Sequence, residues 1–131
     1  MKLTMEDILL MGALEKVAGV SAKDCIASDN VIAYLVKEGD VGKAIGKAAV
    51  NVKALEERLK KRIEIVGYYP EPEKLVAAAL EVKYNSAQVK GSKIVLAMDG
   101  QEKRKALTNM GRFRRVKEFV ERNYKLDLIL N

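Results

Sequence analysis

The sequence predicts an α+β chain built as two consecutive copies of one small two-layer domain. Each copy runs helix, strand, strand, helix, helix, strand. Three observations predict this. Segments with a period of about 3.6 residues alternate with short β-branched runs along the whole chain. The same order of elements occurs twice, with a period near 62 residues. Individual residues repeat at that spacing: Ala44-Ile45 matches Ala106-Leu107 at an offset of 62, and Val52, Leu55 and Leu59 match Phe113, Val116 and Val120 at 61. The copies are therefore 1–69 and 70–131, and the inter-helix loop is one residue shorter in the second. Each copy is near the lower size limit for independent folding, so the two are expected to pack rigidly against each other.

Taken in order, "TMEDILLMGALEKVAG" (4–19) reads as a helix. Thr4 with Asp7 forms a capping box, Met5, Ile8, Leu9, Ala13 and Val17 supply the apolar face, and Gly19 is the stop. "DCIAS" and "VIAYLVK" read as strands joined by a tight turn at Asp29-Asn30. Asp40 is placed to cap a short helix "VGKAI", which breaks at Gly46. A longer helix follows with Val52, Leu55 and Leu59 on one face, and "RIEIV" alternates as a half-buried strand.

"YYPEPEK" holds both prolines and forms the junction, with Pro72 in the first turn of the helix "EKLVAAALEV". "VKYNSAQVK" and "KIVLAMD" read as strands around Gly91-Ser92. Asp99 with Glu102 suggests a second capping box for "QEKRKAL". After "TNMG" comes a helix carrying Phe113, Val116 and Val120, and "KLDLIL" closes the copy as a strand.

Composition narrows the chemistry. With 131 residues and 49% hydrophobic side chains the chain can bury a core, which aliphatic residues must fill because aromatics are 5%. Histidine is absent, which removes the common acid–base and nucleophile arrangements, so an enzyme is not expected. The single cysteine, Cys25, excludes a disulfide within the chain and any cysteine-rich metal site. Asp99, Glu102, Glu71 and Glu73 are accounted for as capping and junction residues, so neither a metal nor a cofactor is expected. No apolar run suits a membrane span or a signal peptide, and a reducing cytoplasm is the natural location.

Net charge is +6 and uneven. Residues 1–69 carry 11 basic and 10 acidic groups, while 70–131 carry 13 and 8. Lys103, Arg104, Lys105, Arg112, Arg114 and Arg115 cluster against Glu102 alone, which suits a polyanion.

The segment "VGKAIGKAAVNVKALEERL" (41–59) joins these themes. It is not a phosphate loop of nucleotide triphosphatases: Gly42 and Gly46 have three residues between them, and Ala48 stands where the Mg²⁺-binding hydroxyl should be. A bend of small residues ahead of a helix can instead admit a phosphate backbone to free N–H groups. Gly42, Lys43, Ile45, Gly46, Lys47, Ala48, Ala49, Asn51 and Lys53 are the residues expected to take part.

The run "VKEGDVGKAIGK" followed by "NVK" resembles the archaeal NusA-like family, small proteins of two consecutive K-homology (KH) domains. The resemblance is close over 1–69 and mainly architectural over 70–131. It implies tandem type II (prokaryotic) KH domains that bind single-stranded RNA, and a role in transcription termination or antitermination. RNA polymerase as a partner is implied by the resemblance alone. The family's loop would read Ile-Gly-x-x-Gly. Here it reads Ile45-Gly46-Lys47-Ala48-Ala49, so Ala49 replaces the second glycine and is expected to favour the helix start. The second copy reads Leu107-Thr108-Asn109-Met110-Gly111, with one glycine lost. By the same resemblance Lys105, Thr108, Asn109, Gly111, Arg112, Arg114 and Arg115 form its counterpart, with RNA expected to run across both copies. The alternatives are a ribosome-associated or RNA-processing KH protein, and a protein-interaction scaffold whose degenerate loops no longer touch RNA.

Overall fold

The first of two three-stranded sheets has β2 (Val31–Lys37) at its centre, antiparallel to β1 (Asp24–Ala27) and parallel to β3 (Arg62–Tyr68). The computed structural model describes residues 3–28 and 30–131, so Asp29, half of the predicted hairpin turn, lies outside the described residues. Helices α1 (Met5–Ala18), α2 (Val41–Ile45) and α3 (Val50–Leu59) complete this unit. The second sheet has the same order: β5 (Lys93–Ala97) lies between antiparallel β4 (Ser86–Lys90) and parallel β6 (Asp127–Leu130). Its helices are α4 (Pro72–Leu80), α5 (Gly100–Leu107) and α6 (Met110–Tyr124). The chain divides into two units, Lys2–Tyr68 and Tyr69–Asn131. The architecture is α+β.

The first core gathers Leu14, Val20, Ile32, Tyr34, Val36, Ala44, Leu55 and Ile63. Strand β2 is buried from Ile32 to Val36, as its unbroken apolar run requires of a strand covered on both faces. Tyr34, the largest buried side chain here, donates its hydroxyl to the Leu10 carbonyl at 2.6 Å and so ties the sheet to α1. Burial, with the Cys25 thiol opposite, holds the pKa of that hydroxyl well above the ordinary tyrosine value. The second core repeats the plan with Leu75, Val76, Ile94, Leu96, Val116, Phe119, Val120 and Leu128.

Helix α1 begins at the predicted capping box: the Thr4 hydroxyl accepts from the Asp7 amide at 3.1 Å, and the Asp7 carboxylate accepts from the Thr4 amide at 3.0 Å. Gly19 ends it in the left-handed region at φ 67°. The apolar face differs from the expected one. Met5, Ile8 and Leu9 are exposed, while Leu10, Met11, Ala13, Leu14, Val17 and Ala18 meet the core. Both sides of this helix are apolar, so spacing could not choose between them.

Four further expectations are corrected. The Asp40 carboxylate accepts no cap bond from α2, because residues 38–40 already form a 3-10 turn and Asp40 has helical backbone. Asp99 and Glu102 do not form a second capping box: Asp99 Oδ1 accepts from the Asn85 amide group at 3.1 Å, and Glu102 Oε1 accepts from the Lys83 N–H at 2.8 Å. Strand β4 starts at Ser86 rather than Val82, since Glu81 turns left-handed at φ 55° and the Val82 N–H bonds back to Ala77 O at 3.1 Å to close α4. The linker between the second pair of helices, 108–109, is two residues shorter than its counterpart 46–49, because α6 starts early at Met110.

Candidate nucleic-acid interface

The first linker is built by three unusual backbone conformations in sequence. Gly46 adopts φ 81°, ψ 163°, a region open essentially to glycine alone. A Cβ at this position would lie 2.9 Å from both Asn51 Nδ2 and Val50 Cγ1, so space and torsion each demand glycine. Ala48 (φ 54°) and Ala49 (φ 60°) are both left-handed, which costs an alanine about 1–2 kcal/mol apiece. Ala49 therefore does not favour the helix start; it precedes α3 in a conformation that glycine would hold with less strain.

This bend is held in place by its own hydrogen bonds. The Gly46 N–H closes α2 onto Gly42 O at 2.9 Å, and the Ala49 N–H bonds Gly46 O at 3.0 Å. Asn51 Nδ2 donates to Lys43 O at 2.9 Å, fastening the first turn of α3 to the last turn of α2. Among the described residues, the Lys47 and Ala48 amides have no protein acceptor, and no side chain caps α3. Both residues are exposed.

Around these amides the chemistry is basic and open. Lys43, Lys47 and Lys53 are exposed. Nothing lies within 4 Å of where a Cβ on Gly42 would sit, so this glycine does not serve helix packing and leaves bare backbone on α2. Lys43 reaches back toward the end of α1, its Nζ 3.7 Å from the Cβ position of Gly19. Ile45 is half-buried beneath the bend. Sequence reasoning missed Val50, which is 56% exposed at the start of α3 and gives the site an apolar surface beside the free amides. The signal was its offset of two residues from Val52, which turns it away from the core face.

The second linker is different in kind. Asn109 Oδ1 accepts from the Arg112 N–H at 3.0 Å, and Thr108 Oγ1 donates to Arg104 O at 2.8 Å. One amide in the first turn of α6, that of Arg112, is thus taken by an N-cap side chain, as none is in α3, and Gly111, expected in the loop, lies inside the helix. Asn109, Thr108, Lys105 and Arg112 come together with Leu80, Glu81 and Ala106 around a cavity of about 470 Å³. Lys105 Nζ lies 3.7 Å from Glu102 Oε1, Arg112 and Arg115 are partly buried and partnered, and Arg114 is exposed. Among the described residues no group of three or more Cys, Asp or Glu is placed to hold a metal, and no helix is long and apolar enough to cross a membrane.

No protein-family model matches the chain. Curated proteins do. The chain is 48% identical over 67 residues to a "Probable transcription termination protein NusA" of Methanocaldococcus jannaschii, and 40% identical over 67 residues to the protein of that name from Methanococcus vannielii. About half of this chain is NusA-like. A third NusA protein, from Halococcus morrhuae, is 38% identical over 82 residues. The NusA-like stretch covers 51% of this chain for the first two relatives and 61% for the third, but only 37%, 39% and 59% of the relatives themselves. The α+β fold extends beyond that stretch. The crystal structure of APE1850 matches over 98% of this chain and 100% of its own, with a TM-score of 0.84 at 25% identity.

Proposed function

We propose that this protein binds single-stranded RNA through the first of two type II KH domains and acts, without turnover of a substrate, as a NusA-like factor in transcription termination or antitermination. The observation that carries the reading is the linker of residues 46–49, where a glycine-only bend leaves the Lys47 and Ala48 amides open between exposed lysines. Two N–H groups with no protein acceptor, on exposed residues beside exposed lysines, fit a sugar–phosphate backbone, and exposed Val50 offers bases an apolar contact. KH modules grip about four nucleotides with such a loop. The names of the relatives support the place in transcription, and RNA polymerase as a partner rests on the resemblance to the NusA-like family alone. The second domain, where Asn109 caps α6 and no left-handed bend precedes the helix, contributes charge through Arg114 and its neighbours rather than an amide cradle.

The test is titration of short single-stranded RNAs at several salt concentrations. Lys47→Asp and Ala48→Asp place a negative charge at the open amides, and aspartate tolerates the left-handed backbone at 48. Each is expected to weaken binding by about tenfold or more, and Lys47→Asp to lower the salt slope by about one counterion. Binding unchanged in both variants moves RNA away from this linker. No binding by the unaltered protein at low salt returns the scaffold reading.

A further inference from the structure

We infer that the outward face of α1 is a docking surface for a basic amphipathic helix of a partner protein. At 3.6 residues per turn, Met5, Ile8, Leu9 and Gly12 share one side of this helix. The three large side chains are 72%, 53% and 68% exposed, and nothing lies within 4 Å of the Cβ position of Gly12. The opposite side already packs Leu10, Leu14 and Val17 into the core. A helix that is apolar all round is ordinarily covered all round, and a contiguous apolar ridge on a surface marks a contact. The bare Gly12 lets a second helix approach closely.

Charge selects the occupant. The chain carries +6, yet α1 has Glu6, Asp7 and Glu15 against Lys16 alone. Glu6 and Glu15 flank the ridge on its two sides, and Lys16 closes it at the C-terminal end. RNA is repelled by these carboxylates. A second copy of α1 would set one net-negative helix against another, which disfavours self-pairing. A helix with one apolar face and flanking Lys or Arg satisfies both the ridge and its acidic margins, the helix-on-helix form of recognition.

The probe is a Lys/Leu amphipathic helical peptide of about 20 residues, beyond the length at which isolated helices are marginal in water, with a Glu/Leu peptide of the same pattern as control. The Lys/Leu peptide is expected to bind and to shift the amide resonances of Met5, Ile8, Leu9 and Gly12, and the Glu/Leu peptide is not. Ile8→Ser with Leu9→Ser should weaken binding by at least about tenfold, and Glu6→Gln with Glu15→Gln by about threefold with a lost salt dependence. These residues are exposed, so circular dichroism should show the fold retained, and RNA titrations should be unchanged in the same variants. Failure of the peptide to bind, equal binding to the Ile8→Ser/Leu9→Ser variant, or concentration-dependent self-association abolished by that variant would each overturn the proposal.

Discussion

The side-chain amide of Asn51 donates to the backbone carbonyl of Lys43, eight residues earlier, at 2.9 Å. This bond spans the bend between α2 and α3 and makes the two helices one device. Asn51→Ala removes it and leaves the end of α2 to water, so stability should fall by about 1 kcal/mol in urea unfolding. RNA affinity should fall further than that small loss implies, because the open amides of Lys47 and Ala48 are no longer held in position.

Gly46 and Ala49, at the two ends of the bend, should respond in opposite directions. Gly46→Ala meets both a glycine-only torsion and contacts at 2.9 Å, and should cost about 2–3 kcal/mol. Ala49→Gly relieves a left-handed alanine and should gain up to about 1 kcal/mol. Gly42→Ala adds a methyl to open helix surface, so it should raise thermal stability by up to about 1 kcal/mol while lowering RNA affinity. Denaturant midpoints paired with RNA titrations separate the two effects.

Asn109→Ala should destabilise the protein by about 1 kcal/mol, the usual cost of losing an N-cap. RNA binding through the first linker should be unaffected. A loss of affinity comparable to that of Lys47→Asp would place the second linker in the site.

Tyr34 makes an alkaline prediction. Its hydroxyl is neutral and bonded in the folded protein, with a pKa held above the unfolded value of about 10. The stability tied to that shift is complete below about pH 10 and declines as pH rises above it, because the unfolded chain releases the proton first. Tyr34→Phe should lose about 1 kcal/mol at neutral pH with the Leu10 bond. The gap between the two proteins should narrow above pH 10 in unfolding curves taken across that range.

What the sequence made legible was what neighbouring residues decide. The Thr4–Asp7 box, the stop at Gly19, Pro72 in the first turn of α4 and the Gly91 turn each rest on residues within one turn of each other. Asp99 and Glu102 have the same local spacing as a capping box, but Asn85 and the Lys83 amide, 14 and 19 residues away respectively, compete for their oxygens. Val52 and Leu55 were legible as the inner face of α3 because charged residues surround them. The inner face of α1 was not, because both of its sides are apolar. In the candidate site, Gly46 and Lys47 stood out by type. The left-handed alanines did not, since alanine signals helix and only the closed geometry between Gly46 and Asn51 forces them out of it. Nor could spacing reveal that Asn109 would spend its oxygen on its own helix.

The N-cap at Asn109 has a practical consequence. Every molecule carries a built-in reference: a linker at the corresponding place in the second unit, in the same tube, at the same concentration and ionic strength, with an N-cap side chain on the helix that follows. Amide exchange or chemical-shift changes at residues 46–50 can be referenced to residues 108–111 of the same polypeptide, so changes of bulk solvent cancel and a larger response at 46–50 reports a guest at the open bend.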